Sequence, residues 1–110
     1  MKVKEIVDKL GLKIFSGNSG LENDVIGGYT SDLLSDVIGN SIEGQIWITL
    51  QTHKNILAVA SLKDLSAIII VKGLTPDRDC IDKSNEEGIP VLGSNDYSFE
   101  LSGKIYKLME

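Results

Sequence analysis

The feature that most constrains this chain is an apolar strand followed by a helix, a unit that occurs three times after residue 44. The middle strand is a continuous aliphatic run too short for a helix, which is typical of a parallel strand covered on both faces. Alternation of this kind predicts βαβ units, with right-handed crossovers placing helices on both faces. The expected fold is a single α/β domain with a mainly parallel sheet. The predicted strands are Gln45 to Leu50, Ala67 to Val71 and Ile89 to Leu92.

Capping signals indicate where the helices of these units begin and end. The first helix is expected over residues 55–62, with its start near Thr52 or His53, because that segment is rich in Ala and Leu. The second is expected to begin at Thr75-Pro76-Asp77, with Thr75 as N-cap and Pro76 at the first helical position. It is expected to end at Gly88, and Ser94-Asn95-Asp96 predicts the cap of the last helix.

The amino-terminal part precedes these units and is less regular. Apolar residues at helical spacing predict a helix over Val3 to Leu10, closed by Gly11 in a left-handed conformation. Short apolar stretches predict strands over 12–15 and 25–29, and a further helix is expected over 31–39.

Composition limits the classes of function. The 110 residues amount to one domain, and the net charge of -5 disfavours nucleic acid and anionic membranes as partners. A single cysteine, Cys80, excludes an internal disulfide and is expected to be a buried, inert residue. The amino terminus lacks the apolar core of a secretory signal, so we expect a cytoplasmic protein.

Polar residues follow each predicted parallel strand, where ligands bind in open sheets of this class. The helices that come next direct their amino-terminal N–H groups to the same edge, which favours an anionic ligand. The alternative is that these residues are ordinary caps and turns, which need the same residue types. The candidate ligand-binding residues at this edge are Thr30, Ser31, Asp32, Gln51, Thr52, His53, Asn55, Lys72 and Gly73.

Ser and Asp recur four residues apart in the predicted helix after the second strand. Ser31 and Ser35 are placed to bind a phosphate, and Asp32 and Asp36 to hold a divalent cation, if both pairs lie on one helix. The alternative is an N-cap with two solvated carboxylates, and no metal site is assigned. His53 is the only histidine and is either an anion ligand, a general base or a capping residue.

Motifs of established catalytic sites are absent from the sequence. It contains no phosphate-binding loop of the Walker type, no dinucleotide fingerprint, no serine elbow and no zinc-protease motif. We therefore expect a non-catalytic chain without a cofactor.

Five stretches of the chain carry a resemblance to a known family: residues 4–10, 28–37, 45–49 with 52–55, 67–73 and 87–91. Together they resemble the DRTGG domain family, which is related to the amino-terminal domain of HPr kinase/phosphorylase. The resemblance implies a MurF-like α/β fold over residues 1–110 and a regulatory or dimerisation module. The family's naming motif differs here, because His53-Lys54 stands where Asp-Arg is expected and Val71-Lys72-Gly73 where Thr-Gly-Gly is expected.

The polar edge, the missing catalytic motifs and the resemblance together favour a homodimer that senses a small anionic ligand, a phosphorylated small molecule or nucleotide, or docks on a protein partner. The P-loop domain of the kinase has no counterpart in these residues, so serine kinase activity is not expected. One alternative is an interaction domain of a redox or hydrogenase-linked system. Another is a small phosphate-handling enzyme that uses Asp32, Asp36 and His53.

Overall fold

The computed structural model describes residues 1–110, in which five strands are interspersed with five α-helices. The strands are β1 (Lys13–Ser16), β2 (Gly27–Thr30), β3 (Gln45–Thr49), β4 (Ala67–Ile70) and β5 (Val91–Gly93). The helices are α1 (Val3–Leu10), α2 (Leu34–Asn40), α3 (Asn55–Leu62), α4 (Arg78–Glu87) and α5 (Ser98–Met109). A short 3-10 helix, Asn18–Gly20, follows β1.

The five strands form one sheet in the order β1-β5-β4-β3-β2. Strands β2 to β5 run parallel, as the strand-helix repetition predicts, and β1 pairs antiparallel with β5 at one edge. Because β1 runs the opposite way, its first residue, Lys13, pairs with Gly93 at the carboxyl end of β5. The start of β1 therefore lies at the edge where the parallel strands end.

Side chains alternate between two apolar layers, one on each face of the sheet. Ile46 and Ile48 of β3 pack with residues of α1 and α5, whereas Trp47 between them packs with residues of α2, α3 and α4. Both layers are closed to water, and Trp47 is completely buried. The predicted parallel sheet with helices on both faces is confirmed.

Several predicted element boundaries are also confirmed. Helix α1 spans Val3–Leu10, as predicted from its apolar residues. Helix α3 covers the predicted segment, but it begins at Asn55 and not near Thr52 or His53. Gly11 and Gly88 close α1 and α4 with φ values of 63° and 67°, the left-handed conformation that glycine adopts without a steric penalty. Cys80 is fully buried, and burial, followed by the charge of Asp77, raises the pKa of its thiol to about 11.

The predicted start of α2 is wrong, because the helix begins at Leu34 and not at Ser31. The backbone carbonyl of Ser31 accepts a hydrogen bond of 2.8 Å from the indole N–H of Trp47. The carboxylate of Asp32 accepts hydrogen bonds from the last residue of β3 and from the residue that follows it. These bonds keep Ser31 and Asp32 alongside β3, so the residues 31, 32, 35 and 36 do not share one helix.

The predicted caps of the last two helices are wrong as well. Helix α4 begins at Arg78 with Asp77 as N-cap, because the Asp77 N–H donates to the Thr52 carbonyl and draws that segment onto the loop after β3. Helix α5 begins at Ser98 rather than after 94–96. The carbonyl oxygens of Ser94 and Asp96 accept hydrogen bonds from the loop after β4, which holds this segment in a turn.

Candidate functional site

The residues that the sequence assigns to the carboxyl edge divide into separate groups. In the first group, Oδ1 of Asp32 accepts hydrogen bonds from the Thr49 hydroxyl (2.9 Å) and the Leu50 N–H (2.8 Å). The Gln51 side-chain amide donates to the Asp32 carbonyl at 2.9 Å. Asp32 and Gln51 therefore join the ends of β2 and β3 to one another, and these hydrogen bonds give them a structural role.

Asp36 belongs to a second hydrogen-bonded group, between β2 and α2. The Tyr29 hydroxyl lies 3.0 and 2.9 Å from its two carboxylate oxygens, and the Asn40 amide lies 3.0 Å from Oδ1. Hydrogen bonds from Ser31, Tyr29 and Asn40 hold the pKa of the Asp36 carboxyl below its ordinary value. Burial and then the Asp36 carboxylate raise the pKa of Tyr29. Asp32 and Asp36 thus bond to different neighbours, and their arrangement does not form the paired cation site that a shared helix would give.

His53, Thr52 and Asn55 surround the start of α3. The Asn55 N–H donates to Nδ1 of the exposed His53 at 3.2 Å. Lys54 is the N-cap residue of α3, and the imidazole of the residue before it caps the first N–H of the helix. The Thr52 carbonyl accepts from the Asp77 N–H. The capping role is therefore present in the structure, and both His53 and the neighbouring Lys54 are exposed.

Lys72 and Gly73 form a tight turn after β4. Both have left-handed backbones, with φ of 63° at Lys72 and 69° at Gly73. The Lys72 N–H donates to the Asp96 carbonyl and the Gly73 N–H to the Ser94 carbonyl, at 2.9 Å each. This turn places the Lys72 ammonium 5.3 Å from the centre of the Tyr97 ring.

A small cavity of about 220 Å³ opens beside this turn. Gly73 is the one lining residue that is also a candidate ligand-binding residue from the sequence. The ammonium of Lys13 lies 4.8 Å from the centre of the Phe15 ring. Phe15 covers Gly93 so closely that a Cβ at that position would overlap the ring. No signal in the sequence pairs β1 with β5, so the sequence could not bring Lys13 to this edge. The lining residues are Gly11, Lys13, Phe15, Gly73, Leu74, Thr75, Gly93 and Asn95.

Thr30 and Ser35 lie apart from these groups. The Thr30 hydroxyl bonds the Ser102 hydroxyl at 2.7 Å, and Thr30 lines a groove of about 410 Å³ between β2 and α5. Ser35 is exposed in the first turn of α2. Neither side chain joins the residues around Lys72.

The largest concavity, about 820 Å³, lies at the opposite edge of the sheet, where the sequence predicts no site. Five of its lining residues are acidic, and Lys2 and Lys4 pair with two of them at 2.8 and 2.6 Å. No group of three or more His, Cys, Asp or Glu side chains in the chain is arranged to hold a metal ion. The acidic lining residues are Glu22, Asp24, Glu43, Asp64 and Glu87.

Comparison with known proteins identifies the fold. No protein-family model matches the sequence, and no curated protein is detectably similar to it. A similar solved structure contains the CBS and DRTGG domains of the regulatory region of the Clostridium perfringens pyrophosphatase, complexed with its activator diadenosine tetraphosphate. It superposes with a TM-score of 0.70 at 18% sequence identity over 96% of this chain.

The match covers 45% of the pyrophosphatase chain, so this protein spans less than half of that regulatory structure. The likeness confirms an α/β fold that also occurs in a regulatory region. None of the helices has both the length and the apolar character needed to cross a bilayer.

Proposed function

We propose that residues 1–110 form a non-catalytic, DRTGG-like regulatory domain that binds the phosphate group of a nucleotide or a related phosphorylated molecule. The proposed site is the carboxyl edge of the sheet around Lys13, Lys72 and Tyr97. The observation that carries the proposal is that two lysines at this edge each lie over an aromatic ring, beside a cavity.

The aromatic ring beside each lysine favours the binding of an anion. An ammonium over an aromatic face is held by attraction to the ring electrons, while its three N–H donors stay available to a phosphate oxygen. Helices α3, α4 and α5 also begin at this edge, so the positive ends of their dipoles add to the charge of the lysines.

The size of the cavity limits which part of a ligand it holds. Pockets that enclose a drug-sized ligand measure about 300–1,000 Å³, whereas this one measures about 220 Å³. A phosphate group fits such a volume, and a whole nucleotide does not. The Tyr97 ring is 62% exposed, so a base outside the cavity has an aromatic face on which to stack.

The structural neighbour supports a regulatory role, since it is a regulatory region bound to a nucleotide activator. This chain matches 45% of that region, so we treat diadenosine tetraphosphate as a probe for this protein. The enzyme alternative has less support, because Asp32 and Asp36 are engaged in structural hydrogen bonds. We also propose that the chain is cytoplasmic and, from the DRTGG resemblance, that it acts as a homodimer.

Isothermal titration calorimetry tests the site directly. The ligands are ATP, diadenosine tetraphosphate, adenosine and inorganic phosphate, and we expect ATP to bind more tightly than adenosine or phosphate alone. Lys13→Ala and Lys72→Ala should weaken all phosphate-containing ligands, whereas Tyr97→Ala should weaken nucleotides more than inorganic phosphate. Lys63→Ala, at the carboxyl end of α3 on the opposite edge, is the control.

The experiment also separates binding from catalysis. ATP recovered after incubation with the protein should be unchanged, because no catalytic group is proposed. A chain that binds none of these ligands contradicts the proposal, as does binding that Lys13→Ala and Lys72→Ala leave intact. Turnover that Asp32→Ala abolishes would favour the enzyme alternative.

A further inference from the structure

Two aromatic side chains on the outward face of α5 are exposed to solvent. Phe99 is 86% exposed and Tyr106 is 72% exposed, while Leu101 and Ile105 on the opposite face are buried. Gly103 lies between the two aromatic residues on the same face, and a Cβ there would meet nothing within 4 Å. Large exposed apolar side chains grouped in this way mark a contact surface, because single exposed residues are scattered on ordinary surfaces.

A negative and a positive side chain lie beside this aromatic face, one near each end of α5. Glu100 lies in the first half of α5 and Lys107 in the second half, and both side chains are exposed. Residues seven positions apart differ by only about 20° around a helix, so the two charges lie on the same flank of the aromatic face. A second α5 running in the opposite direction would bring each Glu100 against a Lys107, whereas a parallel two-fold pair would place the charged flanks of the two copies on opposite sides of the contact.

We infer that a second copy of this chain docks here, with the two α5 helices packed antiparallel across a two-fold axis near Gly103. Phe99 of one copy then meets Tyr106 of the other, and the glycines let the helices approach closely. Such a contact is self-complementary, as a two-fold interface requires. This inference rests on the proposed homodimer and adds the surface that forms it.

The available area indicates how strong the contact is. An aromatic side chain buries about 150–250 Å², so the four rings of a dimer supply part of the roughly 1,200 Å² typical of a stable interface. The apolar groove between α5 and β2, lined by Ile26 and Met109 among others, lies next to the rings and extends the surface. We therefore expect a reversible dimer that dissociates on dilution.

Sedimentation velocity over a range of protein concentrations measures this equilibrium. Phe99→Ser and Tyr106→Ser should each raise the dimer dissociation constant about tenfold or more, since central aromatic residues dominate such contacts. Leu62→Ser is the matched control, because Leu62 is 66% exposed on α3 at the other face of the sheet. Circular dichroism spectra should show that all three variants remain folded.

A charge exchange tests the antiparallel arrangement itself. Glu100→Lys and Lys107→Glu should each weaken the dimer, because each places two like charges together in both contacts. An equimolar mixture of the two variants should form a heterodimer as tight as the unmodified dimer, because both contacts again join opposite charges. Effects within a single helix cannot produce this recovery on mixing.

The outcomes distinguish this surface from the proposed ligand site. A chain that is monomeric at every concentration, a dimer that Phe99→Ser and Tyr106→Ser leave intact, or a mixture without recovery overturns the inference. Nucleotide titrations on the same samples test the ligand proposal separately, since neither Phe99 nor Tyr106 lines the cavity beside Lys13. A dimer that Phe99→Ser and Tyr106→Ser dissociate, but that binds no nucleotide, supports the α5 surface and contradicts the ligand site.

Discussion

The carboxylate of Asp32 lies 2.9 Å from the hydroxyl of Thr49, which is completely buried at the end of β3. The same oxygen accepts the Leu50 N–H at 2.8 Å, so one side chain joins the loop after β2 to the end of β3. A residue that the sequence suggests as a ligand of an anion or cation therefore has a defined structural task.

Removing this carboxylate should destabilise the fold. We expect Asp32→Ala to lower the free energy of unfolding by about 1–3 kcal/mol, because it leaves the buried Thr49 hydroxyl without its acceptor. Asp32→Asn should cost less, since its amide oxygen still accepts. Urea denaturation at neutral pH measures both variants, with the exposed Ser35→Ala as a control expected to lie within about 0.5 kcal/mol of the unmodified protein. An unchanged urea midpoint for Asp32→Ala would show that the hydrogen bonds of this carboxylate do not contribute to the stability of the fold.

Acid should destabilise the protein partly through Asp36. Hydrogen bonds from Ser31, Tyr29 and Asn40 lower the pKa of this carboxyl in the folded chain, so the unfolded chain takes up the proton first as the pH falls. The stability that Asp36 contributes is present above the ordinary Asp pKa of about 3.9 and is lost as the pH falls through the folded pKa.

Asp36→Asn should therefore flatten the acid side of the stability profile, measured as the urea midpoint from about pH 6 to pH 2. Some slope should remain, because Lys2 also lowers the pKa of Asp24. Glu86→Gln, an exposed carboxylate on α4, is the control and should leave the profile unchanged. A profile that Asp36→Asn does not alter would contradict the role of this cluster.

Two glycines should respond to alanine in opposite directions. A Cβ at the buried Gly20 would overlap the carbonyl oxygen of Gly88 and Cδ of Pro90, so Gly20→Ala should destabilise the protein by about 1–3 kcal/mol or more. A Cβ at the exposed Gly39 in α2 would meet nothing within 4 Å, so Gly39→Ala should stabilise it by about 0.5–1 kcal/mol. Thermal unfolding of both variants decides the matter, and equal shifts would refute the close packing at Gly20.

The sequence predicts those parts of the fold that depend on local patterns. Helices α1 and α3 and strand β4 follow from the spacing or length of their apolar residues, and Gly11 and Gly88 close helices as expected. The starts of α2, α4 and α5 depend on hydrogen bonds to distant residues, such as that from Asp77 to Thr52, which local capping signals do not contain.

In the candidate site, too, the sequence predicts the residues that follow local patterns and not those that depend on distant contacts. Lys72 and Gly73 follow a recognisable buried strand, so the sequence places them at the carboxyl edge. Lys13 reaches that edge only because β1 pairs antiparallel with β5, a contact between segments about 80 residues apart. Asp32 has the residue type of a ligand, and only its contacts with Thr49 and Leu50 reveal the structural role.

The left-handed backbone of Lys72 links stability to the proposed function. A non-glycine residue in this conformation costs about 1–2 kcal/mol, which glycine avoids, although glycine also gains entropy in the unfolded chain. We expect Lys72→Gly to stabilise the fold by about 0.5–1 kcal/mol and to weaken nucleotide binding, because the ammonium over Tyr97 is lost.

Asp64 provides a matched control for Lys72, since its φ of 53° is also left-handed and it lies at the opposite edge of the sheet. Asp64→Gly should leave nucleotide affinity unchanged and should stabilise the fold less, because aspartate tolerates this conformation better than lysine does. Thermal unfolding and calorimetric titration of both variants with ATP measure the two effects. Unchanged nucleotide binding by Lys72→Gly would show that the Lys72 side chain does not bind the ligand.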